Sequence, residues 1–335
     1  MASNLVVVVT GASAGLGRSI AHAYAKQGAS IGLIARNPEA LQAAAQECEV
    51  LGGRALVLPL DVSDADAVEA AATRVEKELG PISVWVNNAM ASVFSPVKEM
   101  HADEYKRVTE VTYLGYVYGT MSALRRMLPR DRGTIVQVGS ALSYRSIPLQ
   151  SAYCAAKHAI NGFTDSLRCE LHHDSSNVRL TAVHMPAMNT PQFGWVRSRL
   201  PNVGQPVPPI FDPELCAQVV LKAGLAAHPQ REYWVGMPTA AAIVGTRFSP
   251  GLLDRYLGKT GYKSQQVPDK PRPADSPDNL FQYVPGTHRA RGTFTDRSTD
   301  SSAEIGFLLH RNNVLTAGLA LLAIGGTILA KRGIR

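Results

Sequence analysis

Cysteine is scarce. The 335-residue chain holds four, Cys48, Cys154, Cys169 and Cys216, far apart and without a Cys-x-x-Cys pair. That spacing excludes a cysteine zinc cluster and a disulfide framework, and it reads as reduced thiols in a cytosol-like compartment. Basic runs interleaved with aromatics are also missing. The net charge of +7 sits mostly at one end, because residues 251–335 carry 12 Lys+Arg against 7 Asp+Glu, whereas residues 1–250 carry 22 against 20. Generic nucleic-acid binding finds no support in that distribution. The N-terminus has no basic n-region, and its apolar run Leu5–Val9 is too short for a signal peptide. There is no internal repeat. With 45% hydrophobic and 18% charged residues the chain is neither collagenous nor wholly disordered, and its length allows a large core without staples.

What is present is alternation. Short β-branched runs, Leu5–Val9, Ser30–Ala35, Ala55–Leu60, Ser83–Val86, Thr134–Val138, Arg179–His184 and Glu232–Val235, are separated by Ala-rich or amphipathic stretches. The latter are Leu16–Gln27, Glu39–Leu51, Ala65–Leu79, Ala102–Leu128 and Ala152–His172. This order predicts an α/β fold, a Rossmann-type doubly wound parallel sheet of about seven strands with helices on both faces.

The first strand runs into Thr10-Gly11-Ala12-Ser13-Ala14-Gly15-Leu16-Gly17. Three glycines at a strand-to-helix turn let backbone N–H groups approach a pyrophosphate, where the helix dipole adds attraction. The second strand ends at Ala35-Arg36. A carboxylate at that place suits the ribose hydroxyl of NAD, whereas arginine suits the 2′-phosphate of NADP(H). Arg18 is a weaker candidate for the same phosphate. Tyr153 and Lys157 stand four residues apart on a predicted helix and so share a face. A neighbouring ammonium is expected to lower the phenol's pKa and make it a proton donor and acceptor near neutrality. Ser140 lies 13 residues before Tyr153, just past a predicted strand. His172 and His173 near a helix end read as surface or cap residues, since nothing at ligand spacing completes a metal site.

In this order and spacing, Thr10-Gly-x3-Gly15-x-Gly17, Asp61, Asn87-Asn88-Ala89, Ser140 and Tyr153-x3-Lys157 make residues 4–240 resemble the short-chain dehydrogenase/reductase family. The resemblance implies Tyr153 as acid/base, Ser140 as the holder of a substrate carbonyl, and Lys157 on the nicotinamide ribose, tuning Tyr153. It implies a cofactor-contacting set of Gly11, Ser13, Gly15, Leu16, Gly17, Arg36, Asp61, Val62, Asn88, Ala89, Tyr153, Lys157, Pro186 and Thr190, and no metal. Asp61 and Val62 would border the adenine, Asn88 would support the central strands, and Thr190 would meet the nicotinamide carboxamide. Three positions depart from the family pattern. Met90 replaces a glycine, Thr112 stands where the fourth catalytic residue is an asparagine, and Ala187 replaces the glycine after Pro186. The stretch after Thr190 corresponds to the family's substrate lid. Phe193 and Trp195 there either line an apolar pocket or pack the lid on the core.

Near the C-terminus, residues 312–330 form a 19-residue stretch without charge, bounded by Arg311 and by Lys331-Arg332. As a helix it would span roughly 28 Å, close to the hydrocarbon thickness of a bilayer. The organisation expected is a catalytic domain at 1–250, an extended Pro-rich and polar linker at 251–311, a transmembrane helix at 312–330 and a basic tail at 331–335. The functional expectation is an NADP(H)-dependent oxidoreductase interconverting a lipophilic ketone and secondary alcohol. It would be held by a single C-terminal anchor with its catalytic domain facing the cytosol. The competing readings are a membrane-tethered NADP-binding sensor or scaffold with weak or no catalysis, and a soluble enzyme whose tail forms a homodimer.

Overall fold

A computed structural model describes residues 5–310 of the chain. Seven parallel strands form its sheet: β1 Val6–Thr10, β2 Ser30–Ala35, β3 Arg54–Pro59, β4 Val84–Asn87, β5 Thr134–Ser140, β6 Arg179–Met185 and β7 Glu232–Trp234. Their spatial order is β7-β6-β5-β4-β1-β2-β3, so the order reverses between β1 and β4. Ligands of such sheets bind in the crevice beyond the carboxyl ends of the strands at that reversal.

The alternation of β1 shows why both faces must be covered. Val7 and Val9 pack with Leu16, Ile20 and Tyr24 of α1 (Gly15–Ala25), Leu41 of α2 (Pro38–Val50) and Val219 of α7 (Pro213–Leu225). Val6 and Val8 point the other way, onto Val68 and Val75 of α3 (Ala65–Leu79), Ala123 of α5 (Gly115–Met127) and Leu167 of α6 (Ser151–His173). Successive strand side chains face opposite sides, and an all-apolar strand therefore needs a helix layer on each.

Two expectations are corrected. The single helix read over Ala102–Leu128 is broken into α4 (Ala102–Thr109), a π-helical turn over Glu110–Leu114, and α5. Within the wide turn, the Thr112 hydroxyl donates to the Ala91 carbonyl and accepts from the Ala91 N–H, both at 2.9 Å, pinning the bulge to the end of the central sheet. Residues 251–310, the described part of the expected 251–311 stretch, are not an extended linker. Helices α8 (Met237–Phe248) and α9 (Pro250–Ser264) pack beside the sheet, and the strand Gln266–Pro271 pairs antiparallel with Asn202–Gly204. The polar stretch after it is fastened by isolated apolar anchors, with Leu280 and Ile305 wholly buried and Phe294 nearly so. Such widely spaced anchors carry no periodicity, and a packed segment built on them therefore reads as linker. Among the described residues no helix is long and apolar enough to cross a membrane. The anchor expected at 312–330 and the tail at 331–335 lie outside the described residues.

Candidate active site

The turn after β1 is glycine-dependent for steric reasons. Gly11 and Gly15 adopt φ of +69° and +56°, and a methyl on Gly17 would meet the Gly11 carbonyl oxygen at 2.1 Å. Only glycine lets α1 start this close to the strand end. Across the sheet reversal, Thr10 Oγ1 accepts from the N–H groups of Asn88 and Ala89 at 2.8 and 3.0 Å. The Asn88 amide donates to the Thr10 carbonyl at 2.9 Å and so ties the ends of β1 and β4 together.

Beyond these strand ends lies a cavity of about 430 Å³. The whole catalytic and cofactor-contacting set implied by the resemblance lines it: Gly11, Ser13, Gly15, Leu16, Gly17, Arg36, Asp61, Val62, Asn88, Ala89, Ser140, Tyr153, Lys157, Pro186 and Thr190. Met90, Ala187, Phe193 and Trp195 are on the same wall. Phe193 also packs edge-on against Phe94 and Phe294, at centroid distances of 6.2 and 5.8 Å, and thus serves pocket and core together. Thr112 is fully buried and its hydroxyl is committed to Ala91. His172 and His173 are exposed in the last turn of α6.

At the catalytic end, Ser140 closes β5 and starts a 3-10 turn, its hydroxyl accepting from the Leu142 N–H at 3.1 Å while facing the Tyr153 phenol. Tyr153 and Lys157 project from one face of α6, as their spacing predicts. The electrostatics differ from expectation. Burial, not the ammonium, dominates Tyr153 and pushes its phenol well above the ordinary tyrosine value, so that the proton stays on oxygen. Lys157 is buried as well, which brings its ammonium down to about 7. The ammonium does not reach for the phenol. It donates to the Tyr116 hydroxyl at 2.9 Å and to the Val138 carbonyl at 2.7 Å, and it stands 5.7 Å from the Tyr153 ring centroid. Tyr116 in turn donates to the Val138 carbonyl at 2.9 Å. No spacing rule links Tyr116 to Lys157, and reasoning from the sequence missed it.

At the opposite end, Arg36 donates to the backbone carbonyls of Asn279 and Leu280. Arg18 is buried, absent from the cavity wall, and bonded to Glu47 at 2.7 Å and to the Thr287 and His288 carbonyls at 2.6 and 3.0 Å. It is therefore not a phosphate contact in this arrangement. Burial alone would raise the Asp61 carboxyl, yet hydrogen bonds from Ser63 and Arg107 outweigh it and hold the group below its ordinary value.

The segment 279–292 is the main unforeseen part of the site. The Asn37 amide donates to the carbonyls of Val284 and Gly286 at 2.8 and 3.0 Å, and the Gly15 N–H donates to the Arg289 carbonyl at 3.0 Å. Tyr283, Val284 and His288 add side chains to the cavity wall, and the His288 ring lies 4.5 Å from that of Trp195. This strap crosses the glycine-rich turn and joins the lid to the arginine end. A helix N-terminus, a glycine turn, a cationic side chain at one end and a Ser–Tyr–Lys set at the other fit a nicotinamide dinucleotide lying along the crevice.

A family model described as short chain dehydrogenase matches residues 5–200. An uncharacterized oxidoreductase of Bacillus subtilis, YxnA, is 34% identical over 295 residues, which span 86% of this chain and 80% of that protein. An uncharacterized oxidoreductase of Mycobacterium tuberculosis, Rv1543, is 32% identical over 261 residues, 76% of this chain and 73% of that protein. Human dehydrogenase/reductase SDR family member 7 is 40% identical over 173 residues, which make up 50% of this chain and 51% of the human protein.

Proposed function

The chain belongs to the short-chain dehydrogenase/reductase family of oxidoreductases, and from that premise we propose an NADP(H)-dependent enzyme that interconverts a lipophilic ketone and its secondary alcohol. The observation that carries this reading is the convergence of Ser140, Tyr153 and Lys157 on the cavity whose far end holds Arg36. The bound dinucleotide would supply or accept the hydride. The residues of the chain do the rest. The N–H groups at the start of α1, of which that of Gly15 is shared with the Arg289 carbonyl, would hold the pyrophosphate, and Arg36, which also donates to the Asn279 and Leu280 carbonyls, would pair with the 2′-phosphate. Ser140 positions the substrate oxygen. Tyr153, kept protonated by burial, gives its proton to that oxygen as the carbonyl is reduced. An apolar lid with Phe193 and Trp195 favours a lipophilic substrate, and the uncharged stretch 312–330 favours tethering to a membrane, with the catalytic domain on the cytosolic side.

The test is a screen of the purified full chain for NADPH consumption and NADP⁺ reduction over steroids, retinoids, long-chain ketones and their alcohols. Tyr153→Phe should abolish turnover and spare NADPH binding; unchanged turnover removes the catalytic assignment. One observation favours a second reading, a membrane-tethered NADP-binding sensor or scaffold: the Thr112 hydroxyl is spent on Ala91 and offers nothing to a proton relay. NADPH binding without turnover anywhere in the screen would support it. Recovery in the soluble fraction without detergent would instead support a soluble homodimer joined through the tail.

A further inference from the structure

The helical pair α8–α9 has two faces with different neighbours. Pro238 and Thr239 of α8, with Leu257 and Gly261 of α9, line the catalytic cavity. The outward face of α8 carries Met237, Ala241, Val244 and Phe248, an apolar stripe at helical spacing, all of it exposed. The stripe continues around the corner into Leu252 and Tyr256 of α9. Phe248 is 80% exposed, Leu252 68%, Met237 63% and Tyr256 60%, in a domain whose other large apolar side chains are mostly buried. Large apolar side chains exposed at helical spacing on two adjoining helices mark a contact surface.

Charge identifies the partner. Arg247, Arg255, Lys259 and Lys263 on the same two helices are all exposed, against the carboxylates of Asp254, which is paired with Arg145, and Glu304, which accepts from the Met237 N–H. Apolar side chains that include Tyr256, together with the neighbouring cations, match the chemistry of a bilayer interface. Two copies of the chain meeting through this face would set these cations against one another, since a two-fold contact brings the same patch together. The course of the chain agrees. Residues 303–310 are helical, with Glu304 accepting from the Met237 N–H at the start of α8 at 3.4 Å and the Leu308 and Leu309 carbonyls accepting from Lys222 of α7. The uncharged stretch 312–330 follows directly in sequence.

We infer that the outer face of α8–α9 is an interfacial docking surface for an anionic lipid bilayer, seating the cavity wall on the membrane independently of any anchor at 312–330. A lipophilic substrate dissolved in the bilayer would then be separated from the cavity by one helix thickness, roughly 10 Å.

The test uses the full chain carrying Phe248→Trp, with the parent chain as background, on phosphatidylcholine vesicles with and without phosphatidylglycerol, their acyl chains brominated. The introduced indole should shift to the blue and be quenched at least twofold, more strongly on the anionic vesicles. Adding Leu252→Glu should abolish the quenching, and Lys259→Glu with Lys263→Glu should erase the preference for anionic lipid. These side chains are exposed, so circular dichroism should be unchanged. A chain that floats with the vesicles while its introduced indole stays unquenched overturns the inference, because the tail alone would then hold the protein. An indole shielded in a cross-linked dimer without lipid overturns it too. Neither result touches the hydride-transfer reading, which is decided by turnover.

Discussion

The Lys157 ammonium is held by the Tyr116 hydroxyl at 2.9 Å, although Tyr153 is the tyrosine on its own helix face. Both residues of the pair are buried. With Thr112 occupied at Ala91, Tyr116 and the Val138 carbonyl are the two acceptors the structure gives this ammonium. Hydrogen bonds to charged groups are worth about 1.5–3 kcal/mol, or roughly 10- to 100-fold in rate if the bond is needed in the transition state. Tyr116→Phe should therefore lower kcat by that order. It should also move the Lys157 ionisation in the pH profile to lower pH, because the charged form loses an acceptor. A variant with wild-type kcat and an unshifted profile would show that Tyr116 only fills space.

The catalytic end was readable and the strap was not, for related physical reasons. Four consecutive valines before a glycine turn announce β1, and an i,i+4 pair announces a shared helix face, because both signals are local. The π turn at Glu110–Leu114 contains neither Pro nor Gly, so no local signal interrupts the helical reading there. Tyr116 meets Lys157 across 41 residues of sequence. Leu280 meets Arg36 and Arg107 across 244 and 173 residues, and through its backbone carbonyl, which every residue type possesses. Composition marks residues 251–311 as linker, but it is blind to α9 and the strand Gln266–Pro271 inside that stretch and to the few apolar anchors that pin the rest down.

Arg36 should decide between the two dinucleotides. Arg36 lines the cavity end where a 2′-phosphate would lie, its guanidinium within reach of the Asn279 and Leu280 carbonyls, and charge-assisted contacts to a phosphate are worth about 2–3 kcal/mol. Arg36→Met should weaken NADPH binding by roughly 30- to 100-fold while changing NADH binding only a few-fold, measured by fluorescence titration. Equal affinities for the two cofactors in the parent chain would defeat the assignment of Arg36 before any variant is made.

The strap should open as a unit when its anchor is cut back. Leu280 is wholly buried, and deleting such a side chain costs about 2–5 kcal/mol, enough to raise a local opening equilibrium by tenfold or more. Leu280→Ala should speed tryptic cleavage at Arg289 and Arg291 by at least that factor, with the domain still folded. NADPH should slow the cleavage in the parent chain, because Tyr283, Val284 and His288 of the strap line the cavity proposed to hold it. Cleavage rates indifferent to both the substitution and the cofactor would mean that the strap is not part of the cofactor site.

Lys157 links stability to pH in a direction opposite to that of a paired lysine. Burial brings its folded-state value to about 7 from an ordinary 10.5, so between those limits the unfolded chain holds a proton that the folded chain has released. Stability from this group therefore rises with pH through that window, by at most about 1.4 kcal/mol per pH unit. Below pH 7 both states are charged and the burial penalty is present in full. Lys157→Met keeps an unbranched apolar stem and removes the ionisation. Urea midpoints of the cofactor-free chain at pH 7, 8.5 and 10 should place the variant above the parent at pH 7, and the gap should shrink as pH rises. Parallel curves for the two chains would show that Lys157 keeps its proton in the folded state, held by Tyr116 and Val138 more strongly than burial opposes it.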